Sequence, residues 1–119
     1  MNSQNEPTVT FINGLRDADV WILPETKENL KTTLWGKATA AGVKTGERRK
    51  APLCEPGDGG LYILRMIDTD RFFYSAGGIT LRAGWTMEVR GAGLHAVTLE
   101  VTDENGVLNH SYKVFAARL

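Results

Sequence analysis

Residues 95–117 hold the feature that most narrows the fold. From His95 to Thr102 apolar and polar side chains alternate, with Val97, Leu99 and Val101 on one parity and Thr98, Glu100 and Thr102 on the other. Asp103-Glu104-Asn105-Gly106 follows, then a second run from Val107 to Ala117 with Leu108, Tyr112, Val114 and Ala116 on one parity. A period of two marks a strand with one dry and one wet face. Asn-Gly between two such runs is a strong short cue for a hairpin. Register follows from keeping the apolar sides together. A two-residue Asn-Gly loop sets Leu99 opposite Tyr112 and Val97 opposite Val114. A four-residue loop with Gly106 left-handed sets Val97 opposite Tyr112. A three-residue loop would set Leu99 against Ser111, on the wrong face, and is rejected.

The same logic runs upstream. Leu61 to Ile67 is almost wholly apolar, with Arg65 its one charge, and reads as a strand buried on both faces. Asp68-Thr69-Asp70 is turn chemistry, because aspartate side chains bond the backbone two residues on. Arg71 to Tyr74 is a further short strand, and Ala76-Gly77-Gly78 permits a bend or bulge before Ile79 to Leu81. Trp85, Met87 and Val89 share one face of the next strand and Thr86, Glu88 and Arg90 the other.

In the first half, Thr8 to Asn13 and Asp19 to Leu23 read as strands, and the short Gly14–Ala18 connection suggests a hairpin between them. Residues 25–35 suit a short helical excursion, with Thr26 as its cap, Asn29 in the third helical position and Leu30 and Leu34 on one face. Trp35 is expected to fold back on the strands. Residues 38–42 carry no signal, and a strand is expected from Arg48 to Leu53.

Seven to nine short strands, close-set turns and no sustained helical period point to an all-β, single-domain antiparallel β-sandwich over residues 8–119, behind a polar tail at 1–7. The 119 residues suit one domain, and an apolar fraction of 42% is enough for a core. Fourteen basic and fourteen acidic residues cancel, which gives no footprint for nucleic acid. The run Glu47-Arg48-Arg49-Lys50 reads as a solvated strand. The lone Cys54 rules out an internal disulfide and a cysteine-based metal site. No stretch is long and apolar enough to be a transmembrane segment. The polar start, MNSQNEPT, suits a cytoplasmic protein, or an exported one whose signal has been trimmed.

The order Asn13-Gly14, Val20 to Pro24, Trp35-Gly36, Thr45-Gly46-Glu47, Tyr62 to Asp70 and Ile79 to Gly84 resembles a loose group of small bacterial β-sandwich proteins with C2-like or transthyretin-like folds. The resemblance covers organisation from Thr8 to Arg90. It implies a fold and brings no catalytic residues with it.

Candidate chemistry is sparse. His95 and His110 read as structural residues, and Ser75 and Ser111 lack the setting of a nucleophile. Asp68 and Asp70 are the candidate calcium ligands, since calcium takes several hard oxygens, although aspartate is equally a turn former. Trp21 and Trp85 read as core. Phe72-Phe73-Tyr74 cannot all face inward, so Phe73 is expected on the surface, as is Phe115, whose parity opposes Tyr112 and Val114. The expected function is a non-catalytic binding or interaction module without a cofactor. Its surface is Phe73 and Phe115, or the loops with Asp68 and Asp70, and its partner another protein or a second copy. A calcium-dependent or carbohydrate-binding sandwich is the alternative, and a hydrolase using acidic loop residues the third.

Overall fold

The computed structural model describes residues 7–16, 18–31, 40–53, 61–69, 71–93 and 95–118. Among these residues ten strands and one short helix follow in the order β1 (Thr8–Asn13), β2 (Val20–Pro24), α1 (Lys27–Lys31), β3 (Ala40–Val43), β4 (Arg48–Pro52), β5 (Leu61–Ile67), β6 (Phe72–Thr80), β7 (Thr86–Gly91), β8 (Ala96–Thr102), β9 (Leu108–Phe115) and the two-residue β10 (Ala117–Arg118). They form two five-stranded sheets, β4-β1-β7-β8-β9 and β10-β6-β5-β2-β3. The all-β sandwich is therefore what the alternation implied. One pairing departs from the antiparallel rule, since β1 runs parallel to β7, Thr10 opposite Thr86 and Asn13 opposite Val89.

The inner faces meet in a core of Val9, Phe11, Val20, Ile22, Tyr62, Leu64, Met66, Met87, Val89, Val97, Leu99 and their neighbours. The Phe11 ring on β1 meets the Tyr62 ring on β5 edge-on, 6.3 Å between centroids, which ties one sheet to the other at the centre. Strand β5 is buried on both faces as expected, because Ile63 and Arg65 lie outside the inter-sheet core yet are covered. Helix α1 holds Arg65 there. Thr26 Oγ1 caps it by accepting from the Asn29 amide, the Asn29 side chain donates to the Pro24 carbonyl, and Arg65 donates to the Asn29 carbonyl. Burial pushes the Arg65 guanidinium below its ordinary value. Leu30 on this helix is exposed, and Leu34 and Trp35 lie outside the described residues.

Three expectations are corrected. Strands β1 and β2 are not a hairpin, for they belong to different sheets. The buried Asn13 explains the crossing. Its carboxamide donates to the carbonyls of Ala18 and Val43, and its Oδ1 accepts from the Leu15 amide. Residues 40–43, small and without a signal, form β3 at a sheet edge. The closing hairpin has the first expected register, Leu99 opposite Tyr112 and Val97 opposite Val114, but reaches it through the loop that was rejected. Asp103 and Val107 close three residues, with the Gly106 amide on the Asp103 carbonyl and Gly106 left-handed at φ 81°. A bulge between Val101–His110 and Thr102–Leu108 then adds the missing residue. The bulge also turns Leu108 outward, contrary to its parity, and leaves it 52% exposed.

The remaining turn chemistry behaves as expected. Ile63 sits opposite a bulge in β6, between the pairs Tyr62–Ile79 and Leu64–Ala76. Gly78 there is left-handed at φ 70°, and its amide donates to the Glu25 carboxylate at 2.7 Å. Among the described residues no helix is long and apolar enough to cross a membrane.

Candidate functional site

One end of the sandwich opens into a cleft of about 480 Å³. Four segments converge on it. The β1–β2 connection supplies Leu15, Arg16 and Ala18, the end of β5 supplies Met66, Asp68 and Thr69, and β6 supplies Tyr74. Strand β7 with the turn into β8 supplies Arg90, His95, Ala96 and Val97. The floor is apolar, because Met66, Ala96 and Val97 are core residues seen end-on. The rim is polar.

Asp68 organises the wall. Its amide donates to the Phe72 carbonyl, and Oδ1 accepts from the Phe72 amide at 2.9 Å, so the side chain fastens the β5–β6 turn. Oδ2 accepts from the Tyr74 hydroxyl at 2.9 Å and lies 3.7 Å from His95 Nδ1. The His95 ring stacks on Phe72, 3.7 Å between centroids and 26° from parallel. Asp68, Tyr74, Phe72 and His95 are thus one network spanning both sheets.

Its backbone is strained in two places. Arg71 has φ 67° and His95 has φ 53°, the non-glycine residues with left-handed backbone among those described. Such conformations cost about 1–2 kcal/mol each, and they concentrate where side chains are aimed for a purpose. Here both flank Asp68. The His95 carbonyl also accepts from the Ala116 amide, where the chain leaves β9 for β10.

Arg90, where β7 reaches the cleft, pairs with Glu100 on the solvent face of the sheet. The register explains this partner, since Glu88 stands directly opposite Glu100, and the diagonal Arg90 offsets two like charges.

The expected site residues separate. Asp68 lies at the centre of the cleft wall, and Asp70 falls outside the described residues. Phe73 is half-buried on β6 opposite Ala117, and alternation sends Phe72 and Tyr74 to the core side instead, where Tyr74 also lines the cleft. Phe115 is 68% exposed on β9, in the other sheet, with Lys113 Nζ 5.5 Å from its ring centroid. Among the described residues no group of three or more His, Cys, Asp or Glu is gathered for a metal. His95 had read as a structural residue at the head of a strand. A cue lay in Gly91-Ala92-Gly93, a glycine-rich stretch just ahead of His95 that can turn the chain. Arg16 and Arg90 had no such cue, because only the fold brings them together. Compared with protein families, curated proteins and solved structures, the chain shows no significant match.

Proposed function

We propose that this protein is a non-catalytic binding module whose ligand seat is the cleft at the Asp68 end of the sandwich. One observation carries the reading. The cleft combines an apolar floor with a polar wall already locked by the Asp68–Tyr74 hydrogen bond and the Phe72–His95 stack. A volume of about 480 Å³ falls in the range of small-molecule pockets. Binding is favoured over hydrolysis because the Asp68 oxygens accept from the Phe72 amide and the Tyr74 hydroxyl. The same occupancy weighs against Asp68 as a calcium ligand.

The test is a small-molecule library screened against the full chain by amide NMR. Ligands are expected to shift Thr69, Gly91 and Gly93, and Leu15→Trp, which fills the cleft from its wall, is expected to abolish the shifts. The reading fails when no ligand moves these amides, or when Leu15→Trp binds as well as the parent.

A second reading, self-association, has its own support in β9. Strand β4, the other edge of that sheet, carries Arg48, Arg49 and Lys50, whereas β9 has Lys113 as its one charge and exposes Leu108 and Phe115. Charges guard an edge against pairing, and apolar side chains invite it. Sedimentation across a concentration series tests this reading, and a strictly monomeric protein would remove it.

A further inference from the structure

The edges of the two sheets differ in how well they are guarded. Among the described residues, β3 has four residues and β10 two, too short to template a partner, and β4 carries Arg48, Arg49 and Lys50 in a row. Strand β9 has eight residues and a single charge, Lys113. Its free backbone groups can be assigned. The Ala116 amide donates to the His95 carbonyl, in step with the β8–β9 register. Bonded and non-bonded positions alternate along an antiparallel pair, so His110, Tyr112 and Val114 aim their backbone at β8. Ser111, Lys113 and Phe115 aim theirs away from the sheet. On the core side the cover also runs out here, with Val114 buried, Tyr112 half-buried and His110 exposed.

We infer that two copies of this chain join edge to edge through β9, antiparallel about a two-fold axis at Tyr112, so that their two β8–β9 sheets become one. This rests on the self-association reading. Charge and strand length choose the register. An axis at Lys113 would set that lysine against its own copy, a like-charge pair. An axis at Ser111 would set Phe115 opposite Val107, ahead of the strand. An axis at Tyr112 sets Ser111 opposite Lys113 of the second copy and Phe115 opposite Asn109. Ser111 in turn stands opposite Glu100, and Glu100 opposite Glu88. Lys113 of the second copy thus extends a row that holds two carboxylates, of which Arg90 pairs with Glu100. Two strand spacings, about 10 Å, separate its backbone from that of Glu100, within the joint reach of the two side chains. Among the described residues Lys113 has no carboxylate partner of its own, and its Nζ lies over the Phe115 ring. The two-fold axis repeats the contact, so each copy gives one lysine and receives one.

The test places single thiols on the full chain, with Cys54→Ser as background. Ser111→Cys and Lys113→Cys are oxidised separately and as a mixture. The inferred register brings these two positions to about 5.5 Å between Cα atoms, inside the disulfide range. The mixture is therefore expected to give a mixed disulfide dimer, with each variant alone linking poorly. Sedimentation supplies a second measurement. Lys113→Glu is expected to weaken association about tenfold, and adding Glu100→Lys to it is expected to restore association, a rescue that damage to the fold would not give. Either thiol variant alone linking as efficiently as the mixture, or Lys113→Glu associating as tightly as the parent, would overturn the β9 pairing and leave self-association standing through another surface. A parent that is strictly monomeric removes both.

Discussion

Asn13 Nδ2 donates to the Val43 carbonyl at 2.8 Å, a contact between the end of β1 in one sheet and the end of β3 in the other. The same nitrogen donates to Ala18, and Oδ1 takes the Leu15 amide. Two of these three bonds, to Leu15 and Ala18, hold backbone that shapes the cleft wall. Asn13→Ala is expected to cost about 3 kcal/mol, because it strands buried backbone groups rather than merely losing contacts. Asn13→Asp is expected to be no better, since a carboxylate would present acceptors to two carbonyls. Urea unfolding measures both.

His95 offers a cleaner separation of strain from function. At φ 53°, glycine fits where alanine does not. His95→Gly is expected to be more stable than His95→Ala by about 1 kcal/mol, while both lose the Phe72 stack and bind a cleft ligand weakly. Equal stability of the two variants in thermal melts would show that the backbone there relaxes.

The β6 bulge makes an ordering prediction. Gly78→Ala is expected to cost about 1–2 kcal/mol, because φ 70° is disfavoured with a Cβ. Gly77→Ala is expected to cost less. Its Cβ would fall 2.9 Å from Glu25 Oε1, the end of a side chain that can move, although moving it loosens the bond to the Gly78 amide. Chemical denaturation of the two variants gives the order.

Phe115→Ser is expected to leave stability within about 0.5 kcal/mol, as for other exposed positions, and to reduce any self-association seen by sedimentation. Undiminished self-association in that variant would move the contact elsewhere.

Glu47 bears on acid stability. A hydrogen bond from Arg49, together with the Lys44 amide, holds its carboxyl below the usual carboxylate range. A lowered folded-state value means stability that is present above the ordinary carboxylate pKa and lost as pH falls through the folded one. Glu47→Gln is therefore expected to flatten the acid limb slightly and leave neutral behaviour almost unchanged. The effect is small because the group is exposed. Unfolding curves between neutral and acid pH read it directly.

What the sequence made legible was local. Alternation at Val97, Leu99 and Val101 needs only the pleat of one strand, and the doubly buried β5 shows in its unbroken apolar run. The β1–β7 pair could not be read, because nothing in either run encodes a parallel neighbour 76 residues away. The hairpin is instructive in a different way. Its register was legible because burial dictates it, whereas the loop was not, since a bulge lets two loop lengths reach the same pairing. Asp68 was visible as a turn residue, and that is half of what it does. Its meeting with His95 depends on two turns in different parts of the chain, each bent through a left-handed residue.

The parallel pairing sets a timetable on the ribosome. Thr10 can dock on Lys50 once β4 has emerged, but its other neighbour, Thr86, is made 76 residues after it. At about 5–20 residues per second the first strand waits roughly 4–15 s for that partner. Meanwhile Val9 and Phe11 have no finished sheet to enter, so slow translation before residue 91 would lengthen the interval in which the nascent chain is most prone to stick to its neighbours.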